Sequence, residues 1–260
     1  MRLTAGPDKA IWFTDPGENR VGRLGMDGVT AYVPLPTPAS GPAAIIRASD
    51  GNIWLTEHAA NRVARITPLG TLTEFVLPDR GAPAGIAEGA DGKLYIAESS
   101  ANRIDQMSMD GRIREFRLPT PGSRPNGVAT APDGVIWFTE FHAEKVGRLS
   151  TTGEVTDFAL PAKGPPIGIV AGADSRIWVT VPAAHAICRV SPDGTEEAFV
   201  MPGGIIPGLI AMGADGNLWF AEPNGMIGRF SPSGVVDQFS AVSHVRNPHA
   251  EAEQLLISGP

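Results

Sequence analysis

The chain has 260 residues and a formal net charge of −7, so it has no positive field to hold a phosphate backbone, and nucleic acid is excluded as a partner. Its 31 glycines and 24 prolines stand beside 42% hydrophobic residues, which suits many short strands joined by tight turns and not a disordered chain. The single cysteine, Cys188, excludes an internal disulfide and a cysteine-built metal cage, and no run of about 18 apolar residues is present to span a membrane. Residues 1–8 hold no apolar run of signal-peptide length, so the expectation is a soluble, cytoplasmic monomer without membrane contact.

In chain order the same unit is read six times. The first has a turn at Asp8-Lys9, an aromatic anchor at Trp12, a strand at Arg20–Leu24, a turn at Asp27-Gly28 and an outer strand closed by Leu35-Pro36. The second opens at Pro42 and runs through Asp50-Gly51, Trp54, Arg62–Ile66 and Leu69-Gly70 to Leu77-Pro78. The third opens at Pro83 with the short apolar strand Gly85-Ile86-Ala87, then has Asp91-Gly92, Tyr95, Arg103–Met107 and Leu118-Pro119. The fourth follows Pro125 with Asp133-Gly134, Trp137, Lys145–Leu149 and Leu160-Pro161. The fifth follows Pro166 with Asp174-Ser175, Trp178, Ala186–Val190 and Met201-Pro202, and the sixth follows Pro207 with Asp215-Gly216, Trp219 and Met226–Phe230. The anchors lie 42, 41, 42, 41 and 41 residues apart. Asp-Gly pairs suit hairpin turns because glycine takes positive φ without a Cβ penalty, and proline cannot donate to a ladder, so it ends the outer strand.

Four short antiparallel strands per 41–42 residues predict an all-β fold, a β-propeller of six four-stranded blades over residues 1–242, with a C-terminal tail at 243–260. Pro248 keeps the spacing of the crossing prolines, so an incomplete seven-bladed propeller is the alternative. Closure of the six blades on one another is expected, because a gap would leave open sheet edges.

A residue present in every blade cannot mark one site. Asp15, Glu57, Glu98, Glu140 and Glu222 recur after the second strand and are expected to be structural, paired with Arg20, Arg62, Arg103 or Lys145. Non-repeating residues on the same face are the better candidates. After the crossing prolines stand Ala43, Ala84, Asn126, Ile167, Gly208 and His249, of which only Asn126 and His249 are polar. His58 and the pair Phe141-His142 follow the carboxylates of the second and fourth blades, so His58, Asn126, Phe141, His142 and His249 are expected to line one cavity. Cys188 reads as a small packed residue. There is no Gly-x-Ser-x-Gly elbow, zinc spacing or phosphate loop.

The stretch Ala131-Pro132-Asp133-Gly134-Val135-Ile136-Trp137-Phe138-Thr139-Glu140, followed by Lys145-Val146-Gly147-Arg148, resembles the repeat of the streptogramin B lyases, the virginiamycin B lyase family. The resemblance covers roughly residues 3–240 and Arg246–Ala250. It implies a propeller that linearises cyclic depsipeptide antibiotics by elimination at the ester, with a divalent metal, usually magnesium, and hence a role in antibiotic resistance. It places His249, in Asn247-Pro248-His249-Ala250, on the family's catalytic base. Asn247 stands where the family has a metal-binding glutamate, and Gly208 where it has a substrate-binding histidine. Aligned instead with the penultimate blade, His249 becomes the substrate binder. Asn126, His58, Phe141 and His142 are the substrate-binding candidates, and no metal ligand is assigned. Two further readings stay open: a non-catalytic propeller binding a small ligand or peptide on its central face, and an inactive family member.

Overall fold

A computed structural model describes residues 2–240. The first blade comprises β1 (Leu3–Ala5), β2 (Ile11–Asp15), β3 (Arg20–Leu24) and β4 (Thr30–Pro34). The second comprises β5 (Pro42–Arg47), β6 (Ile53–Glu57), β7 (Arg62–Ile66) and β8 (Leu72–Val76). The third comprises β9 (Pro83–Glu88), β10 (Leu94–Glu98), β11 (Arg103–Met107) and β12 (Ile113–Arg117). The fourth comprises β13 (Pro125–Thr130), β14 (Ile136–Glu140), β15 (Lys145–Leu149) and β16 (Val155–Ala159). The fifth comprises β17 (Ile169–Ala171), β18 (Ile177–Val181), β19 (Ala186–Val190) and β20 (Glu196–Val200). The sixth comprises β21 (Ile210–Met212), β22 (Leu218–Ala221), β23 (Met226–Phe230) and β24 (Val236–Ser240). Each blade is an antiparallel meander in sequence order, and the six make a β-propeller. Helical structure among the described residues is confined to two short 3₁₀ turns, Pro182–Ala184 and Pro202–Gly204, and no helix there is long and apolar enough to cross a membrane.

The turn chemistry explains the repeat. Gly51, Gly92, Gly134 and Gly216 take positive φ in the hairpins before the anchors, and Lys9 and Ser175 adopt the same backbone where the glycine is missing. The turn aspartate also holds the anchor. Asp8, Asp50 and Asp215 accept from the indole N–H of Trp12, Trp54 and Trp219 at 3.1–3.3 Å, and Asp91 accepts from the Tyr95 hydroxyl at 3.2 Å. The Val-Gly-Arg motif reflects packing within the blade. A Cβ on Gly147 would lie 2.0 Å from the Phe138 ring, so this third-strand residue stays small where the second strand brings a phenylalanine across it.

The core is not central but lies between blades. Each of the first five anchors and its third-strand valine or isoleucine pack against the second strand of the next blade, as Trp12 and Val21 do on Ile53 and Leu55. Five such clusters correspond to the five sequential junctions. A recurrent hydrogen bond stitches several of them. Thr14, Thr56 and Thr180 each donate to a crossing-loop carbonyl of the next blade, those of Ala43, Ala84 and Gly208, at 2.7–3.2 Å.

The expected closure of the sixth blade on the first is not made by their strands. Among the described residues β21 and β1 lack the packing that joins successive inner strands. Ile11 is 37% and Leu24 38% exposed, where Ile53 and Ile66, at the same places one blade on, are fully buried. On the other side Ile227 is 39% exposed, against full burial of Ile187. Among the described residues the facing sides of the first and sixth blades are thus less covered than the five sequential junctions.

Candidate functional site

The crossing loops bring the start of each inner strand to one mouth of the central channel. In the second, third and fourth blades the register slips there, between Pro42 and Ile45, between Pro83 and Ile86, and between Pro125 and Val128. Such bulges re-aim side chains, and they hold Ala43, Ala84 and Asn126 at the mouth. A cavity of about 300 Å³ lies there, lined by Arg2, Pro16, Pro42, Ala43, Ala44, His58, Ala84 and Asn126. A smaller cavity, about 180 Å³, is walled by inner-strand residues such as Ile45, Ile86 and Ile169.

His58 Nδ1 lies 3.1 Å from the Pro83 carbonyl. A carbonyl only accepts, so Nδ1 carries a proton in that contact, and in the neutral ring Nε2 is then the acceptor. The structure therefore brings His58 and Asn126 together. It places Phe141 and His142 outside that lining: their backbone N–H groups donate to Arg124 O and Ser123 O, and their rings lie 5.6 Å apart. His142 Nε2 is 3.4 Å from Arg124 Nη1. His249 and Asn247 lie outside the described residues. Cys188 is fully buried opposite Val179, and burial pushes its thiol up.

Arg2 was not legible from the crossing prolines, because no proline precedes it. Its signal is register. Arg2 N donates to Thr14 Oγ1, as Ala44 N does to Thr56, Gly127 N to Thr139 and Gly168 N to Thr180. Arg2 thus occupies the place where three other blades have alanine or glycine.

The repeated carboxylates differ from expectation. Asp15 pairs with Arg20 at 2.8 Å, but Glu57, Glu98 and Glu140 are fully buried and accept no hydrogen bond within the described structure. The cations expected for them are taken by other carboxylates. Arg62 lies 3.7 Å from Glu74, Lys145 2.9 Å from Asp157, and Arg103 binds Asp79 and Asp105 at 2.8 Å with Glu115 at 3.3 Å. The physical reason is the cross-strand neighbour. Glu74, Glu115 and Asp157 sit on the outer strand of the same blade, within reach of the cation, so each site holds more carboxyls than positive charges. Desolvation, followed by the neighbouring carboxylate, pushes Glu57 and Glu140 up to about 7 and Glu98 up to about 8. Burial likewise pushes Asp105 up to about 6, against the pull of Arg103. In the sixth blade an amide replaces the acid, and Gln238 Nε2 donates to Glu222 at 2.8 and 3.0 Å. In the fifth blade carboxyl, cation and acid are all absent, as Val181, Ala186 and Ala198.

Among the described residues no three histidine, cysteine, aspartate or glutamate side chains converge in a way that could hold a metal ion.

Known proteins match this architecture closely. A profile of the virginiamycin B lyase family matches residues 1–113 and 81–255. A virginiamycin B lyase from Nocardia farcinica is 35% identical over 80 residues, which is 31% of this chain and 28% of that relative's length. The crystal structure of virginiamycin B lyase from Staphylococcus aureus superposes with a TM-score of 0.89 at 33% identity, over 94% of this chain and 84% of that one. A catalytically inactive variant of the Staphylococcus aureus enzyme, solved with quinupristin, superposes with a TM-score of 0.88 at 32% identity, over 92% and 83% of the two chains. The chain belongs to the virginiamycin B lyase family.

Proposed function

We propose that the protein is a carbon–oxygen lyase that opens cyclic depsipeptides of the streptogramin B class at their ester bond. The observation that carries this reading is the match, over 94% of the chain, to a virginiamycin B lyase structure, together with the solved quinupristin complex of that enzyme's inactive variant. In the elimination a base takes the α-proton, its electron pair becomes a carbon–carbon double bond, and the ester C–O bond breaks with the carboxylate leaving. No water is consumed, so the linear product has the mass of the ring. His249 is the proposed base. His58 and Asn126 are the proposed ligand contacts in the mouth cavity; Phe141 and His142, outside its lining, remain proposed contacts for a ligand that extends beyond it. Magnesium comes with the family resemblance. The described residues supply no ligand set that fits it.

A second reading is a propeller that binds such a ligand without turning it over. It is favoured by Asn247 and Gly208, which replace a glutamate and a histidine of the resembled pattern. Incubation with a type B streptogramin and magnesium, followed by mass spectrometry, separates the two. A linear product of unchanged mass is expected. Intact ring with saturable binding supports the binding-only reading, and a product heavier by one water refutes elimination. Loss of activity in His249→Ala is expected, and full activity there removes His249 from the role of base.

A further inference from the structure

The mouth cavity holds three polar groups that the rest of the molecule leaves unengaged. The Arg2 guanidinium makes no ion pair or hydrogen bond among the described residues, although twelve salt bridges engage other basic side chains. Its position is otherwise filled by Ala44, Gly127 and Gly168, so the side chain enters space that the repeat keeps empty. Partial burial lowers its proton affinity, the mark of a cation taken from water without a counter-charge. Among the described residues no acidic side chain lines the cavity. The nearby Asp15 is held by Arg20, and Glu57, next to His58, is buried beneath the mouth. The Asn126 amide has no partner among the described residues, and with Nδ1 turned to Pro83 O the neutral His58 ring presents Nε2 as an acceptor.

These groups define a ligand by complement. An unpaired guanidinium and an amide N–H₂ call for an oxyanion, and guanidinium matches the two oxygens of a carboxylate. The imidazole lone pair calls for a donor beside that oxyanion. A peptide's C-terminal residue carries both, a carboxylate and its own amide N–H.

We infer that Arg2, Asn126 and His58 form a subsite for a peptide C-terminal carboxylate. The inference rests on the reading of this cavity as the ligand site and deepens it, because ester elimination releases such a carboxylate on the opened chain. Arg2 would then hold the product end, not remove the proton.

The test is binding, by calorimetry or amide chemical shifts, of N-acetyl-alanyl-alanine, its C-terminal amide and inorganic phosphate to the full-length protein. The free acid is expected to bind at least about tenfold more tightly than the amide, which is about 1.4 kcal/mol. Arg2→Ala is expected to abolish that preference and Arg2→Lys to restore part of it. Circular dichroism checks folding, since the Arg2 backbone contact to Thr14 does not depend on the side chain. Equal binding of acid and amide, no binding of either, or a preference that survives Arg2→Ala overturns the inference. Phosphate binding as tightly as the free acid overturns the peptide assignment in favour of a general anion site. Linearisation of streptogramin without any preference for the free acid removes this inference and leaves the lyase reading standing. A preference for the free acid without linearisation does the reverse.

Discussion

Glu98→Gln should stabilise the protein, and more so as pH rises. Glu98 is fully buried, neither oxygen has a hydrogen-bond partner among the described residues, and Asp105, Asp79 and Glu115 share its one cation, Arg103. Its carboxyl is raised from 4.5 to about 8, so the folded protein binds a proton that the unfolded chain releases above 4.5. Where the native state binds more protons, stability falls with rising pH. The loss begins near 4.5 and is complete near 8. Holding the proton up to neutral pH costs about 3 kcal/mol, at about 1.4 kcal/mol per pH unit. Glutamine keeps the shape and has no proton to hold, and the sixth blade already tolerates the amide of Gln238 beside Glu222. Urea denaturation followed by tryptophan fluorescence, from pH 4.5 to 8, should show wild type losing about 3 kcal/mol more than the variant by neutral pH. Parallel stability curves for the two proteins would refute the account of a buried neutral acid.

The unequal junctions give two further expectations. Ile53→Ala should cost about 2–5 kcal/mol, because Ile53 is fully buried between the first and second blades. Ile11→Ala, at the same place on the open face, should cost under about 1 kcal/mol, and equal losses by denaturant titration would show that the end face is covered in solution. Thr180→Val should cost about 2–3 kcal/mol, since Thr180 Oγ1 accepts from Gly168 N at 2.9 Å and donates to Gly208 O at 2.7 Å, and the change strands both groups. A melting temperature unchanged by Thr180→Val would show that the stitch carries no stability.

The regular part of the molecule was legible because it depends on local chemistry. The six third strands fall where the Arg-Val-Gly-Arg pattern and its variants put them, from Arg20–Leu24 to Met226–Phe230. The first five outer strands end two residues before the closing proline, because the intervening leucine or methionine leaves the ladder to fill the inter-blade core, as Leu35, Leu77 and Met201 do. The carboxylates were misread for the opposite reason. Pairing Glu98 with Arg103 uses adjacent positions of one hairpin, whereas the actual claim on Arg103 comes from Asp79, Asp105 and Glu115, two of them on other segments. Competition among several carboxyls for one cation is not visible in spacing.

The same logic separates scaffold from chemistry. Repetition marks what every blade needs, and it made Trp54 or Thr56 recognisable while making Glu57 uninformative about a site. Departure from the repeat marks what one blade alone supplies. Asn126 and His58 depart visibly from the crossing prolines and the second-strand ends, and the structure brings them to one cavity. Arg2 departs just as sharply from Ala44, Gly127 and Gly168, but the comparison needs the hydrogen-bond register that sets Arg2 N on Thr14. Phe141 and His142 depart too, yet their loop turns them toward Arg124. Irregularity in the array therefore nominates residues, and only convergence on a shared cavity selects among them.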